Sequence, residues 1–149
     1  MRNLKVTTSI IAMILIGLSG SAFAQSSQSL TEILKTHMNE TVQAVKEAES
    51  ADEKRSILNE SFTDMLTAVE KIEEKAELSD REKEQLAVLK DNITAKSNQL
   101  NGLDGYDKVG DEELDDFSDY SQQDMEQANR TITISLTTAL LIIIILLLL

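Results

Sequence analysis

The stretch Leu58-Asn59-Glu60-Ser61-Phe62-Thr63-Asp64-Met65-Leu66-Thr67-Ala68-Val69-Glu70-Lys71-Ile72-Glu73-Glu74-Lys75-Ala76 decides how this chain folds. Leu58, Phe62, Met65, Val69, Ile72 and Ala76 recur at alternating spacings of four and three, while the positions between them are mostly charged or polar. That period puts all six side chains along one stripe of a helix, the pattern of a helix that packs on other helices. Upstream, Ser50 is followed by Glu53, a pairing that starts helices. The Ser oxygen accepts from the amide three residues on, and the Glu carboxylate reaches back to the cap amide.

The same signal occurs twice more, at Ser29 with Glu32 and at Ser79 with Glu82. Each precedes an apolar period. Leu34, Met38, Thr41, Val45 and Ala48 form the first, flanked by Leu30, Ile33 and Val42. Leu86, Leu89, Ile93 and Leu100 form the third, with Val88 beside them and Lys96 interrupting. Short connections near Ser50 and Ser79 make consecutive helices antiparallel neighbours. The expected fold is therefore all-α: a small up-down three-helix bundle or coiled coil. Its core would be thin, with Phe62 as its one aromatic side chain. Small scaffolds without disulfides or metals gain stability by association, so a protein partner or homo-oligomer is expected.

The chain has 149 residues, and its two ends read as membrane-directed rather than as fold. Arg2 and Lys5 precede an apolar run from Ile10 to Leu18, followed by Ala22, Phe23 and Ala24. A positive start, a short apolar segment and an Ala-x-Ala site specify a signal peptide over residues 1–24, cut before Gln25. This short positive start and the junction from Ala22 to Gln25 resemble those of bacterial secreted proteins. At the other end, residues 131–149 carry no charge, and Ala139 to Leu149 is uniformly apolar. As a helix this segment would cover about 28 Å, close to a hydrocarbon core, so a C-terminal transmembrane helix is expected. The intervening chain divides into an extracytoplasmic helical domain over 25–100 and a glycine-containing turn with an acidic stalk over 101–130.

Residues 101–130 differ from what precedes them. Gly102, Gly105 and Gly110 lie close together, as in a turn region. Acidic residues dominate from Asp104 to Arg130. Leu114, Phe117, Ser121, Met125 and Ala128 keep an approximate helical period, so a weak fourth helix and a solvated stalk fit this segment equally well.

Composition excludes several chemistries. The formal charge of −12 is opposite to what a phosphate-binding surface requires. The absence of Cys removes disulfides, thiolate metal sites and thiol catalysis. Asp104, Asp107, Asp111, Glu112 and Glu113 suggest calcium, but no register places acids at positions 1, 3 and 5 with Gly at 6. His37, the single His, has Glu40 one turn on, in the reverse order to the Glu-x-x-His of carboxylate-bridged metal bundles. A seam-edge histidine is the simpler expectation. Phosphate-loop, dinucleotide, nucleophile-elbow and zinc-protease motifs do not occur. No catalytic, cofactor-binding or metal-binding residues are assigned, and no small-molecule substrate is expected.

The sequence thus points to an exported, C-terminally membrane-anchored helical protein acting through protein–protein contacts rather than catalysis. Envelope structure, assembly or surface interaction would suit it, facing the periplasm or exterior of a bacterial cytoplasmic membrane. The alternative is a eukaryotic surface protein whose tail is replaced by glycosylphosphatidylinositol. Sequons at Asn39, Asn59, Asn92 and Asn129 favour that alternative, and Arg130 beside the attachment region disfavours it.

Overall fold

Ser-initiated helices occur where the cap signals place them. In a computed structural model describing residues 30–128, Ser50 Oγ accepts from the Glu53 amide at 3.2 Å, and Ser79 with Glu82 forms a complete capping box. The resulting elements are α1 (Leu30–Glu47), α2 (Ala51–Lys75), α3 (Asp80–Asn101), a short 3-10 turn (Asp111–Glu113) and α4 (Leu114–Ala128). The third cap, Ser29, lies outside the described residues, as do residues 1–24 and 131–149 with their leader and membrane-tail readings. Among the described residues there is no strand, and no helix is long and apolar enough to cross a membrane.

The seams meet in one core. Leu58, Phe62, Met65, Val69 and Ile72 of α2 are buried, with Ala76 half-buried where that helix ends. Leu30, Leu34, Met38, Val42 and Val45 of α1 face them, and Leu86, Leu89, Ile93 and Leu100 come from α3. Val88, read as a neighbour of the third seam, is exposed instead. It lies between Leu86 and Leu89, on the side of the helix turned away from the stripe. Thr41 keeps its seam position because its hydroxyl is satisfied, lying 2.8 Å from Ser61 Oγ and 2.9 Å from the His37 carbonyl.

The fourth helix forms and belongs to the bundle. Leu114, Phe117, Ser118, Ser121 and Met125 are buried, so residues 114–128 are packed helix and not solvated stalk. Phe117 meets Phe62 edge-to-face, with ring centroids 6.4 Å apart and an interplanar angle of 83°. The core therefore holds two aromatic rings, where the sequence suggested one. The Phe117 ring could not be placed there without knowing that α4 returns to α2.

Cross-helix pairs fix the directions. Lys35 meets Glu126 and Lys46 meets Asp119, so α4 runs antiparallel to α1. Asn59 with Asn101 and Glu73 with Lys90 make α2 antiparallel to α3, and the short connection between α1 and α2, with Thr41 against Ser61, does the same for that pair. The result is an up-down-up-down four-helix bundle in which α1 packs against both α2 and α4. Leu30 and Ala128 consequently lie at one end, while residues 102–110 lie at the other. Eighteen helical residues in α1 separate these ends by about 27 Å.

Candidate interaction surface

The loop between α3 and α4 begins with a terminated helix. Gly102 adopts φ +66°, the Leu103 amide donates to the Asn98 carbonyl at 2.9 Å, and the Gly102 amide donates to Gln99. These two bonds close α3 in a left-handed cap, a conformation that glycine adopts without a side-chain clash. Space reinforces the requirement. A Cβ at Gly102 would stand 2.8 Å from Lys108 Cβ and 3.0 Å from its backbone nitrogen.

Arg55, from the second turn of α2, fixes the rest of the loop. Its Nη1 donates to the Leu100 carbonyl at 2.6 Å, and its Nη2 donates to the Val109 carbonyl at 2.8 Å and to Asp111 Oδ1 at 2.9 Å. A planar guanidinium suits this task, because its donors diverge at fixed angles and can join two backbone carbonyls and a carboxylate. The Val109 amide returns to the Gln99 carbonyl at 3.2 Å, and Asn59 and Asn101 exchange side-chain amide hydrogen bonds beside it. Between these anchors the Tyr106 amide donates to the Leu103 carbonyl. Leu103 and Tyr106 are nevertheless 55% and 41% exposed. The acidic residues singled out for calcium are arranged otherwise: Asp111 pairs with Arg55, and the Glu113 carboxylate caps the Gly110 amide at 3.0 Å.

Charge joins α4 to the rest of the bundle alongside its buried apolar side chains. Among the described residues there are seven ion pairs, and five of them end on residues 111–126. Lys35 and Lys46 supply two from α1, Lys54 and Arg55 two from α2, and Lys96 one from α3. Lys96 explains its interruption of the third seam. Only 7% exposed, it reaches Asp124 at 2.5 Å and lies 3.8 Å from the centroid of the Tyr120 ring. Carboxylate and ring face together supply the partners that a buried ammonium requires. Lys54 with Asp115 at 2.7 Å does similar work near the start of α4.

His37 sits at the edge of the α1–α2 seam, where its Nε2 lies 3.1 Å from Ser61 Oγ. Burial holds its pKa below the usual histidine value, opposed by the charges of Asp64 and Glu40 and by the contact with Ser61. Glu40 Oε2 and Ser121 Oγ are both buried without a hydrogen-bond partner among the described residues. The α1–α4 register set by Asn39 with Gln122 places these two atoms' residues at one level of the bundle. Among the described residues no group of three or more His, Cys, Asp or Glu side chains is arranged to hold a metal ion.

The sequons divide by environment. Asn59 Nδ2 donates across to Asn101, and Asn39 Oδ1 accepts from Gln122, so both side chains are used between helices. Asn92 is exposed on α3, and Asn129 lies outside the described residues. No signal in the sequence marked Arg55 as the loop's anchor. The nearest hint was a set of cations on α1–α3 facing a later segment with almost none. No protein-family model matches this chain, and no curated protein or solved structure matches it either.

Proposed function

We propose that this chain is an exported helical bundle, anchored by its C-terminal segment and acting through protein–protein contacts without catalysing a reaction. The observation that carries the reading is directional. Leu30 and Ala128 lie at one end of the bundle, so the leader side and the tail side of the chain both depart from that end. Anchored through residues 131–149, the bundle would hold the loop of residues 102–110 on its membrane-distal side. The leader reading supports a position outside the cytoplasm, on a bacterial cytoplasmic membrane facing the periplasm or exterior. Such a layout would suit an envelope structural element, an assembly accessory or a surface interaction module.

The reading with a glycosylphosphatidylinositol anchor loses part of its support to the hydrogen bonds of Asn39 and Asn59. A glycan on Asn59 Nδ2 would need room where that nitrogen faces Asn101 across the α2–α3 contact. The two readings part on one experiment. With a permanent span, detergent is required for extraction, and peptides containing Leu136 to Leu149 are recovered from the mature membrane fraction. Two Lys inserted beside Ile144 then release the protein, since each mid-membrane cation costs about 2.5–3.5 kcal/mol on the insertion scale. Release of the unmodified chain by a phospholipase specific for the lipid anchor, with those peptides missing, would overturn the span.

A further inference from the structure

We infer that the loop of residues 102–110 is a docking surface for a polypeptide partner that presents basic side chains around an apolar cleft. The inference deepens the anchored-bundle reading and rests on it for the loop's membrane-distal position. Four large apolar or aromatic side chains are exposed among the described residues: Val88, Leu103, Tyr106 and Tyr120. Tyr120 is engaged by Lys96, and Val88 stands alone on α3. Leu103 and Tyr106 share one turn of one loop, and among the described residues no ring or cation contact engages either.

Their loop is also held in place. Arg55 ties its two ends to α2, and the Gly102 cap packs against Lys108. A segment whose backbone is already fixed loses little conformational entropy on binding, so exposed side chains on it contribute more of their burial to affinity. The rim identifies the partner's charge. Asp104, Asp107 and Glu112 are exposed and have no ion-pair partner among the described residues, whereas Lys108 is the only cation of the loop. A second copy of the chain would bring the same acidic rim and be repelled, while a basic surface would be steered toward it. Two apolar anchors within a charged rim correspond to a small, transient interface rather than an obligate one.

The chain's two tyrosines and lack of Trp allow a direct test. Full-length mature protein labelled with fluorotyrosine, in uncharged detergent micelles, gives two fluorine NMR signals, assigned with Tyr106→Phe and Tyr120→Phe. The probes are an amphipathic peptide built only of Lys and Leu, and oligolysine. The expected result is a saturable shift of the Tyr106 signal by the amphipathic peptide while Tyr120 stays in place. Leu103→Ser and the double variant Asp104→Asn with Asp107→Asn should each weaken binding about tenfold, and oligolysine should bind at least about tenfold more weakly than the amphipathic peptide. Both variants alter exposed side chains, and unchanged helical circular dichroism verifies their fold. A response at Tyr120 alone, equal binding by the variants, or equal binding of oligolysine would overturn the inference. So would self-association of the parent protein that Leu103→Ser abolishes. Membrane retention is measured separately, so loss of peptide binding leaves the anchored-bundle reading standing, and release from the membrane leaves the docking surface standing.

Discussion

Helix α2 meets its neighbours through Leu58, Phe62, Met65, Val69 and Ile72, whereas α4 offers Leu114, Phe117 and Met125 interleaved with Ser118 and Ser121. The apolar stripe of α2 is continuous over about four turns, and its one buried hydroxyl, Ser61, is shared with Thr41. Along α4 the stripe is broken, and ion pairs to all three other helices flank it. Burial of hydrocarbon dominates the first interface, because large apolar side chains contribute about 1.5–3 kcal/mol each. Accessible ion pairs contribute about 0–1 kcal/mol each, so on α4 they add a salt-sensitive increment to a shorter apolar stripe, with the better-buried Lys54 and Lys96 counting most. One bundle thus holds two kinds of helix contact, one insensitive to salt and one that salt should weaken.

The largest expected effect breaks the apolar side of this contrast. Phe62→Ala should cost about 3–5 kcal/mol, since it removes a fully buried ring and leaves Phe117 without its partner. Glu74→Ala, on an exposed position of the same helix, should be nearly silent in thermal melts. Equal melting temperatures for the two would show that the seam is not the core. A smaller loss is expected on the polar side. Arg55→Met should cost roughly 1–3 kcal/mol, since the Leu100 and Val109 carbonyls lose a charged donor. Hydrogen exchange should then quicken in residues 102–113 before it changes in α2. Uniform quickening would mean that Arg55 supports the whole bundle and not the loop.

These two regions were unequally legible in the sequence. The α2 seam and the Ser50 and Ser79 caps are local patterns, in which side chains three and four residues apart decide their own helix. The Lys46–Asp119 and Lys54–Asp115 pairs span separations of 73 and 61 residues, and neither member carries a local mark of its partner. With serines in its stripe and acids around it, α4 resembles a solvated stalk until the cations of α1–α3 are placed beside it. Lys96 shows the same limit. A Lys inside an apolar period reads as a defect, and only Asp124 and Tyr120 across the bundle make it a joint. Leu103 and Tyr106 gave no warning as candidate docking residues, because exposure within a loop depends on how Arg55 fixes its path.

The smallest expected effect sharpens the contrast at the α1–α2 edge. Burial lowers the folded pKa of His37, so well above the ordinary histidine value of 6.5 the ring is neutral in both states. As the pH falls through that value the unfolded chain takes up the proton first, and stability should fall with pH until the folded ring also titrates. His37→Gln should flatten this segment of the stability–pH curve and leave the acid limb, set by carboxylates, in place. A curve with identical slope in the variant would assign the dependence to other groups.

The most direct measurement of the central claim is amide hydrogen exchange of the full-length protein as salt is raised from about 0.01 M to about 1 M, which shortens the Debye length from about 30 Å to about 3 Å. Screening should act first on the exposed Lys35–Glu126 and Lys46–Asp119 pairs. Protection across Leu114–Ala128 should fall while protection across the α2 seam from Leu58 to Ile72 holds or rises. Protection in α4 that stays level with α2 at every salt concentration would contradict the claim, and would mean that α4 is held by its apolar contacts as firmly as the other helices.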